Sequence, residues 1–137
     1  MKYLLDTNVI SELRKRDRAD TNVVRWVQRT TADSLCTSVL VMAELRRGIE
    51  LKRRADAAQA ELLDLWIATV HARLGSRIFG IDAEIANTWA KLSVPDMLPM
   101  IDGLLAATAL VRGLVLVTRN AADVARTGVA ILNPFEA

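Results

Sequence analysis

A chain of 137 residues that is 52% hydrophobic and 25% charged carries enough apolar surface to build one sizeable core and too much to stay disordered. Its net charge of +2 gives no bulk electrostatic signature of a nucleic-acid binder, and its single cysteine, Cys36, excludes an internal disulfide. Only three prolines and six glycines interrupt it, so we expect one helix-rich domain over residues 1–137.

The apolar start Met1 to Leu5 is cut short by Asp6, too early for the core of a signal peptide. The most apolar stretch, Ile101 to Val117, carries Asp102 and Arg112 and is short of the roughly 20 apolar residues that span a bilayer. The expectation is a cytoplasmic protein without a membrane segment, with Cys36 as a small buried thiol.

In chain order, Tyr3-Leu4-Leu5 reads as a buried parallel strand that delivers Asp6 to its carboxyl end, where open α/β sheets bind ligands. Asn8 to Leu13 reads as a short helix, and the charged run Arg14 to Asp20 as a surface loop. Asp20-Thr21-Asn22 offers caps for a second helix with Val23, Val24, Trp26 and Val27 on its apolar side. Leu35-Cys36-Thr37 is a second strand, and Ser38 caps a long helix from Val39 to Lys52, with Leu40, Ala43, Ile49 and Leu51 among its apolar residues. Gly48 inside that helix costs about 1 kcal/mol relative to alanine unless close packing requires it.

From Ala55 to Leu74 the residues Leu62, Leu65, Trp66, Thr69 and Val70 recur at helical period, with Gly75 as a left-handed cap and His71 assigned to the surface. Arg77-Ile78-Phe79 is a third strand, and Asp82 starts a helix through Trp89 and Leu92. Pro95 and Pro99 bracket a loop whose apolar end, Met97 to Met100, could gate a site or meet a second copy. Asp102 then opens a helix from Gly103 to Val111, closed by Arg112-Gly113. Leu114 to Val117 is the clearest buried strand and stops at Thr118-Arg119-Asn120; Val129 to Leu132 is the last strand. Strands alternating with helices predict a parallel sheet covered on both faces.

Four acids fall where the carboxyl edge of such a sheet could gather them: Asp6, Glu44, Asp102 and Asp123. Each has an ordinary reading. Asp6 can form a turn, Glu44 can pair with Arg47, Asp102 can be a helix N-cap, and Asp123 can cap a final turn. Grouped carboxylates repel one another and raise one another's pKa unless a cation neutralises them. With one histidine and one cysteine in the chain, a zinc site built from those ligands is out of reach, whereas oxygen ligands suit Mg²⁺ or Mn²⁺. Such a site would use Asp6 and Asp102 as metal ligands, with Glu44 and Asp123 holding metal waters or a second ion and aligning the nucleophile. Thr7, Ser38, Thr118 and Asn120 would orient these groups, and Arg119 could meet a phosphate. The basic runs Arg14-Lys15-Arg16, Arg46-Arg47 and Lys52-Arg53-Arg54 are phosphate contacts or solvated helix faces.

The segments Leu4 to Leu13 (LLDTNVISEL), Ala43 to Glu50 (AELRRGIE), Asp102 to Ala109 (DGLLAATA) and Leu116 to Asn120 (LVTRN), followed by Gly128-Val129 and Asn133-Pro134, occur in the order seen in the PIN-domain ribonucleases. The chain resembles the VapC and FitB type of toxins within that family over nearly its whole length. The resemblance implies a three-layer α/β/α sandwich with a parallel sheet of about five strands. It further implies Mg²⁺- or Mn²⁺-dependent RNA cleavage, restrained by a cognate antitoxin whose C-terminal segment covers the active-site groove, and a homodimer that joins antitoxin in a hetero-oligomer. By position, Asp6, Glu44 and Asp102 match the core acids and Asp123 the less constant fourth. Gly103 stands where alanine is common, Val124 where an aromatic residue is frequent, Phe135 where tryptophan is frequent after Asn-Pro, and Asn120 where some relatives have aspartate.

Two other classes compete on sequence. One is a non-catalytic partner that keeps the fold while its acids serve structure. The other is a phospho-accepting receiver-like domain, disfavoured because Asp6 lacks a second acid two residues on and no lysine follows Val117 in a suitable place.

Overall fold

The computed structural model describes residues 2–136. At its centre β1 (Tyr3–Leu5) lies parallel between β2 (Leu35–Ser38) and β4 (Val115–Val117), with β3 (Ile78–Phe79) and β5 (Ile131–Leu132) at the edges, giving the order β3-β2-β1-β4-β5. Leu4, Leu5, Leu116 and Val117 are buried. That is why these strands read as unbroken apolar runs rather than alternating ones. The register sets Leu5 opposite Val117, and the backbone N–H of Asp6 donates to the Val117 carbonyl at 2.9 Å. The two central strands therefore end side by side.

The helices are α1 (Thr7–Leu13), α2 (Thr21–Arg29), α3 (Val39–Ala55), α4 (Ala57–Leu74), α5 (Ala83–Leu92), α6 (Met100–Arg112) and the short α7 (Ala121–Val124). One group links α1 with α2 and α3, and α3 with α4; a second links α5 with α6, and α6 with α7. This is the expected α/β/α sandwich with five parallel strands. None of the described helices is long and apolar enough to cross a membrane. Side-chain caps start most helices: Asp6, Asp20, Ser38, Asp56 and Asp82 each accept a first-turn N–H.

Several local expectations move. The first helix starts at Thr7 because Asp6 is its cap. The Arg14 to Asp20 loop contains a 3₁₀ turn at Arg16–Arg18 and buries Ala19. On α3 the buried residues are Val41, Leu45 and Ile49, while Leu51 is exposed. On α4 the buried stripe is Ala60, Leu63, Ile67, Val70 and Leu74, with Leu62 62% and Leu65 70% exposed. Trp66 and Val70, expected on the stripe, do pack against the core, whereas Leu62 lies two residues from Ala60, roughly 200° round the helix, and faces outward with Leu65. Gly75 has φ 54° and ψ −122°, a positive φ but not the left-handed helical cap. Arg77 lies in a 3₁₀ turn, and the last strand shrinks to Ile131–Leu132.

The helix expected to open at Asp102 begins earlier. The Gly103 N–H donates to the Pro99 carbonyl at 2.8 Å, so the first helical turn already encloses Met100 to Asp102. Asp102 is thus a first-turn residue and not an N-cap. At the other end Gly113, at φ 69° and ψ 42°, supplies the left-handed cap.

Gly48, inside α3, has ordinary helical backbone, and a Cβ placed on it would meet nothing within 4 Å. Packing does not require the glycine. Gly48→Ala should therefore raise stability by about 0.5–1 kcal/mol, read as a higher urea midpoint with an unchanged slope.

Candidate active site

The β1–α1 junction places Asp6 at the carboxyl edge of the sheet, 5% exposed. Both of its oxygens are held. Oδ1 accepts the Thr7 backbone N–H at 2.7 Å, and Oδ2 accepts the Thr118 hydroxyl at 2.7 Å and the Asn8 amide at 3.3 Å. Thr118 closes β4, so its hydroxyl ties the ends of the two central strands together, and its Oγ1 also accepts the Asn120 N–H at 3.0 Å. Asn8 completes the frame by accepting the Arg119 N–H at 3.2 Å. It was not among the sequence candidates. Its signal is an amide two residues after a strand-end acid, able to donate to one strand end and accept from the other.

Glu44 projects from α3 toward α1, where its Oε1 accepts the Thr7 hydroxyl at 2.5 Å. The alternative pairing with Arg47 is not made among the described residues; Arg46 and Arg53 pair instead with Glu50 and Asp64, across to α4. Asp102 is half-buried on α6. Burial first, then the negative charges of Asp6, Asp123 and Glu44, hold its carboxyl above the usual carboxylate range, with no positive group offsetting them. The four acids thus share one electrostatic neighbourhood. Asp123 is exposed on α7; it does not cap that helix, and its N–H donates to the Asn120 carbonyl. No three His, Cys, Asp or Glu side chains among the described residues converge tightly enough to enclose an ion alone.

Ser38 is buried and caps α3 through the Leu40 N–H. Asn120 is exposed and meets the site through its backbone only. The Arg119 guanidinium lies 3.7 Å from the centroid of the Phe135 ring, which holds a cation at this edge. Arg119 thereby gives Phe135 a role that the sequence did not disclose. Thr7 and Glu44 line a cleft of about 530 Å³ between α1, α3 and α4, together with Arg14, Gly48, Lys52 and Trp66.

Three expectations made away from the acids are met: Cys36 is buried with its thiol raised to about 11 by desolvation, Trp26 packs edge-on against Tyr3, and His71 is exposed.

Residues 3–129 match the family described as PIN domain. The chain belongs to the PIN-domain family. Among its relatives, VapC ribonuclease Y4jK of Sinorhizobium fredii is 30% identical, with 97% of each chain aligned. Toxin FitB of Neisseria gonorrhoeae is also 30% identical, over 96% of this chain and 97% of the relative. The crystal structure of FitAcB from Neisseria gonorrhoeae contains a chain that superposes on this PIN domain with a TM-score of 0.89 at 28% identity, covering 98% of this chain and 99% of that one. The chain and these relatives thus match over nearly the full length of each.

Proposed function

We propose that this PIN domain is the toxin of a toxin–antitoxin pair, an endoribonuclease that hydrolyses RNA phosphodiester bonds with Mg²⁺ or Mn²⁺. The carrying observation is the convergence of negative charge on half-buried Asp102 without a compensating cation. Relatives named as a VapC ribonuclease and as a toxin support the reading over nearly the full chain.

The donor set fits a hard cation. All four acids offer oxygen, the donor that magnesium takes, through one or two carboxylates plus substrate phosphate while it keeps several waters. Asp6 and Asp102 would hold the ion. When bound it would neutralise their repulsion and lower the pKa of water at the site.

The chain's own groups do the rest. Thr118, Asn8 and the Thr7 N–H lock Asp6 in one rotamer, so its charge needs no reorganisation during reaction. Thr7 occupies one oxygen of Glu44 and leaves Oε2 to accept a proton from the attacking water. Water oxygen bonds to phosphorus as the bond to the departing ribose oxygen breaks, that oxygen takes a proton from solvent water to leave as a hydroxyl, and Asp123 aligns the attacking water. Arg119, stacked on Phe135, faces the phosphate. An antitoxin protein covering this edge would restrain the activity, with toxin homodimers joining antitoxin in a hetero-oligomer.

The test is cleavage of a panel of structured RNAs by the purified, antitoxin-free chain. Fragments should form with Mg²⁺ or Mn²⁺ and vanish with EDTA. A folded protein that yields none, and whose melting temperature neither ion raises, would overturn the proposal.

A further inference from the structure

The cleft beside Glu44 contains a glycine that neither the backbone nor the packing explains. Gly48 lines it from the middle of α3 with open space where its Cβ would lie. Any larger residue there would project into the cleft. One side is apolar, with Leu45 and Ile49 buried and Trp66 half-buried against the core. Arg14 and Lys52 add two exposed cations, and among the described residues neither enters an ion pair. Arg53, next to Lys52, is by contrast held by Glu50 and Asp64. Asp56 is the opposing acid in the lining, and its Oδ1 is spent on capping α4.

Resting on the ribonuclease reading, we propose that this cleft is the subsite for the nucleotide next to the scissile phosphate. Gly48 leaves the wall clear for an unstacked base, and Arg14 and Lys52 take the flanking phosphates. Thr7, the neighbour of Asp6, and Glu44 both line the cleft and are hydrogen-bonded to each other, so a strand whose phosphate lies at Asp6 meets the cleft beside it. Its volume falls in the range of small-ligand pockets. An apolar wall flanked by unpaired cations suits single-stranded RNA, whose bases are free to leave the stack while its phosphates demand positive charge. Charge favours RNA over a neutral or basic peptide here, because such a peptide would leave Arg14 and Lys52 without anionic partners.

The experiment uses the full chain carrying Asp6→Asn, which stops turnover, and measures binding of short labelled single-stranded oligoribonucleotides by anisotropy in Mg²⁺ at several salt concentrations. Adding Gly48→Leu should weaken binding about tenfold or more while the melting temperature does not fall, because a Cβ at this position meets nothing within 4 Å and the helix gains a better helix former. Arg14→Gln and Lys52→Gln should each lower the salt slope by about 0.7. In the cleaving background, Gly48→Leu should raise KM more than it lowers kcat. Unchanged RNA affinity and KM in Gly48→Leu and Lys52→Gln would overturn the subsite while metal-dependent cleavage by the parent chain stood. Absence of that cleavage in the parent would instead bring down the ribonuclease reading and the subsite with it. Gly48→Leu that binds RNA normally but no longer binds its antitoxin would assign the cleft to a peptide and also overturn the proposal.

Discussion

Asp102→Asn should abolish RNA cleavage and, in metal-free buffer, make the protein slightly more stable. The carboxylate sits where burial and three neighbouring acids already oppose its charge, so an isosteric neutral amide relieves repulsion. After solvent screening the gain is on the order of 0.5–1 kcal/mol. The catalytic loss should reach about 10²–10³-fold or more in kcat, comparable to removing a preorganised electrostatic group. The sign with pH follows from the raised pKa. The folded protein holds this proton more tightly than the unfolded chain. Its contribution to stability therefore falls as pH rises from the ordinary aspartate value through the raised one. The variant should lose that pH dependence, and Mg²⁺ or Mn²⁺ should raise the melting temperature of the parent but not of the variant. Melting curves across acidic to neutral pH, with and without metal, measure both. A variant that cleaves RNA normally would remove Asp102 from the site.

Asp6→Asn should be equally inactive for a different structural reason. Oδ1 must remain an oxygen to cap Thr7, which turns the amide nitrogen toward Thr118 and the donating Asn8 amide. That donor–donor contact should cost about 1–3 kcal/mol. The two variants thus share a loss of activity and part in stability.

Gly103→Ala should destabilise the fold. A Cβ on Gly103 would lie 2.8 Å from Leu98 Cβ and from Trp89 Cδ1 and Nε1. Leu98 is 2% exposed, and the indole nitrogen is buried without a hydrogen-bond partner. Leu98 has no solvent to retreat into, and the indole edge that meets Gly103 faces inward. Overpacking of this kind costs about 1–3 kcal/mol, and because Asp102 is the adjacent residue, activity should fall too. Combining it with Trp89→Leu should cost at least about 1 kcal/mol less than the sum of the single changes. Additive urea midpoints would mean that Trp89 is not what excludes the methyl group.

The architecture was legible because its signals are local. Tyr3 to Leu5 and Leu114 to Val117 are apolar without alternation, as strands covered on both faces must be, and Asp20, Ser38 and Asp82 announce the helices they cap. The four acids were legible as candidates because each follows a strand or rides a helix next to one, and because the motifs around them resemble a known family.

What the chain's order alone determined is therefore the alternation of strands and helices and the parallel sheet, and it named the four acids as candidates. Local signals did not separate faces on α4, where apolar residues all round offered two stripes, and only contact with α3 and the sheet selected Ala60, Ile67 and Leu74 over Leu62 and Leu65. Nor could they reveal the Asn8 and Thr118 frame around Asp6, the Thr7 hydroxyl on Glu44, or Arg119 on Phe135. The Thr7–Glu44, Asp6–Thr118 and Arg119–Phe135 contacts join residues 37, 112 and 16 positions apart, and spacing along a chain carries no information about hydrogen-bond direction across strands. The tertiary structure decided them because parallel pairing of β1 with β4 brings Leu5 opposite Val117, which ends both strands at the same edge.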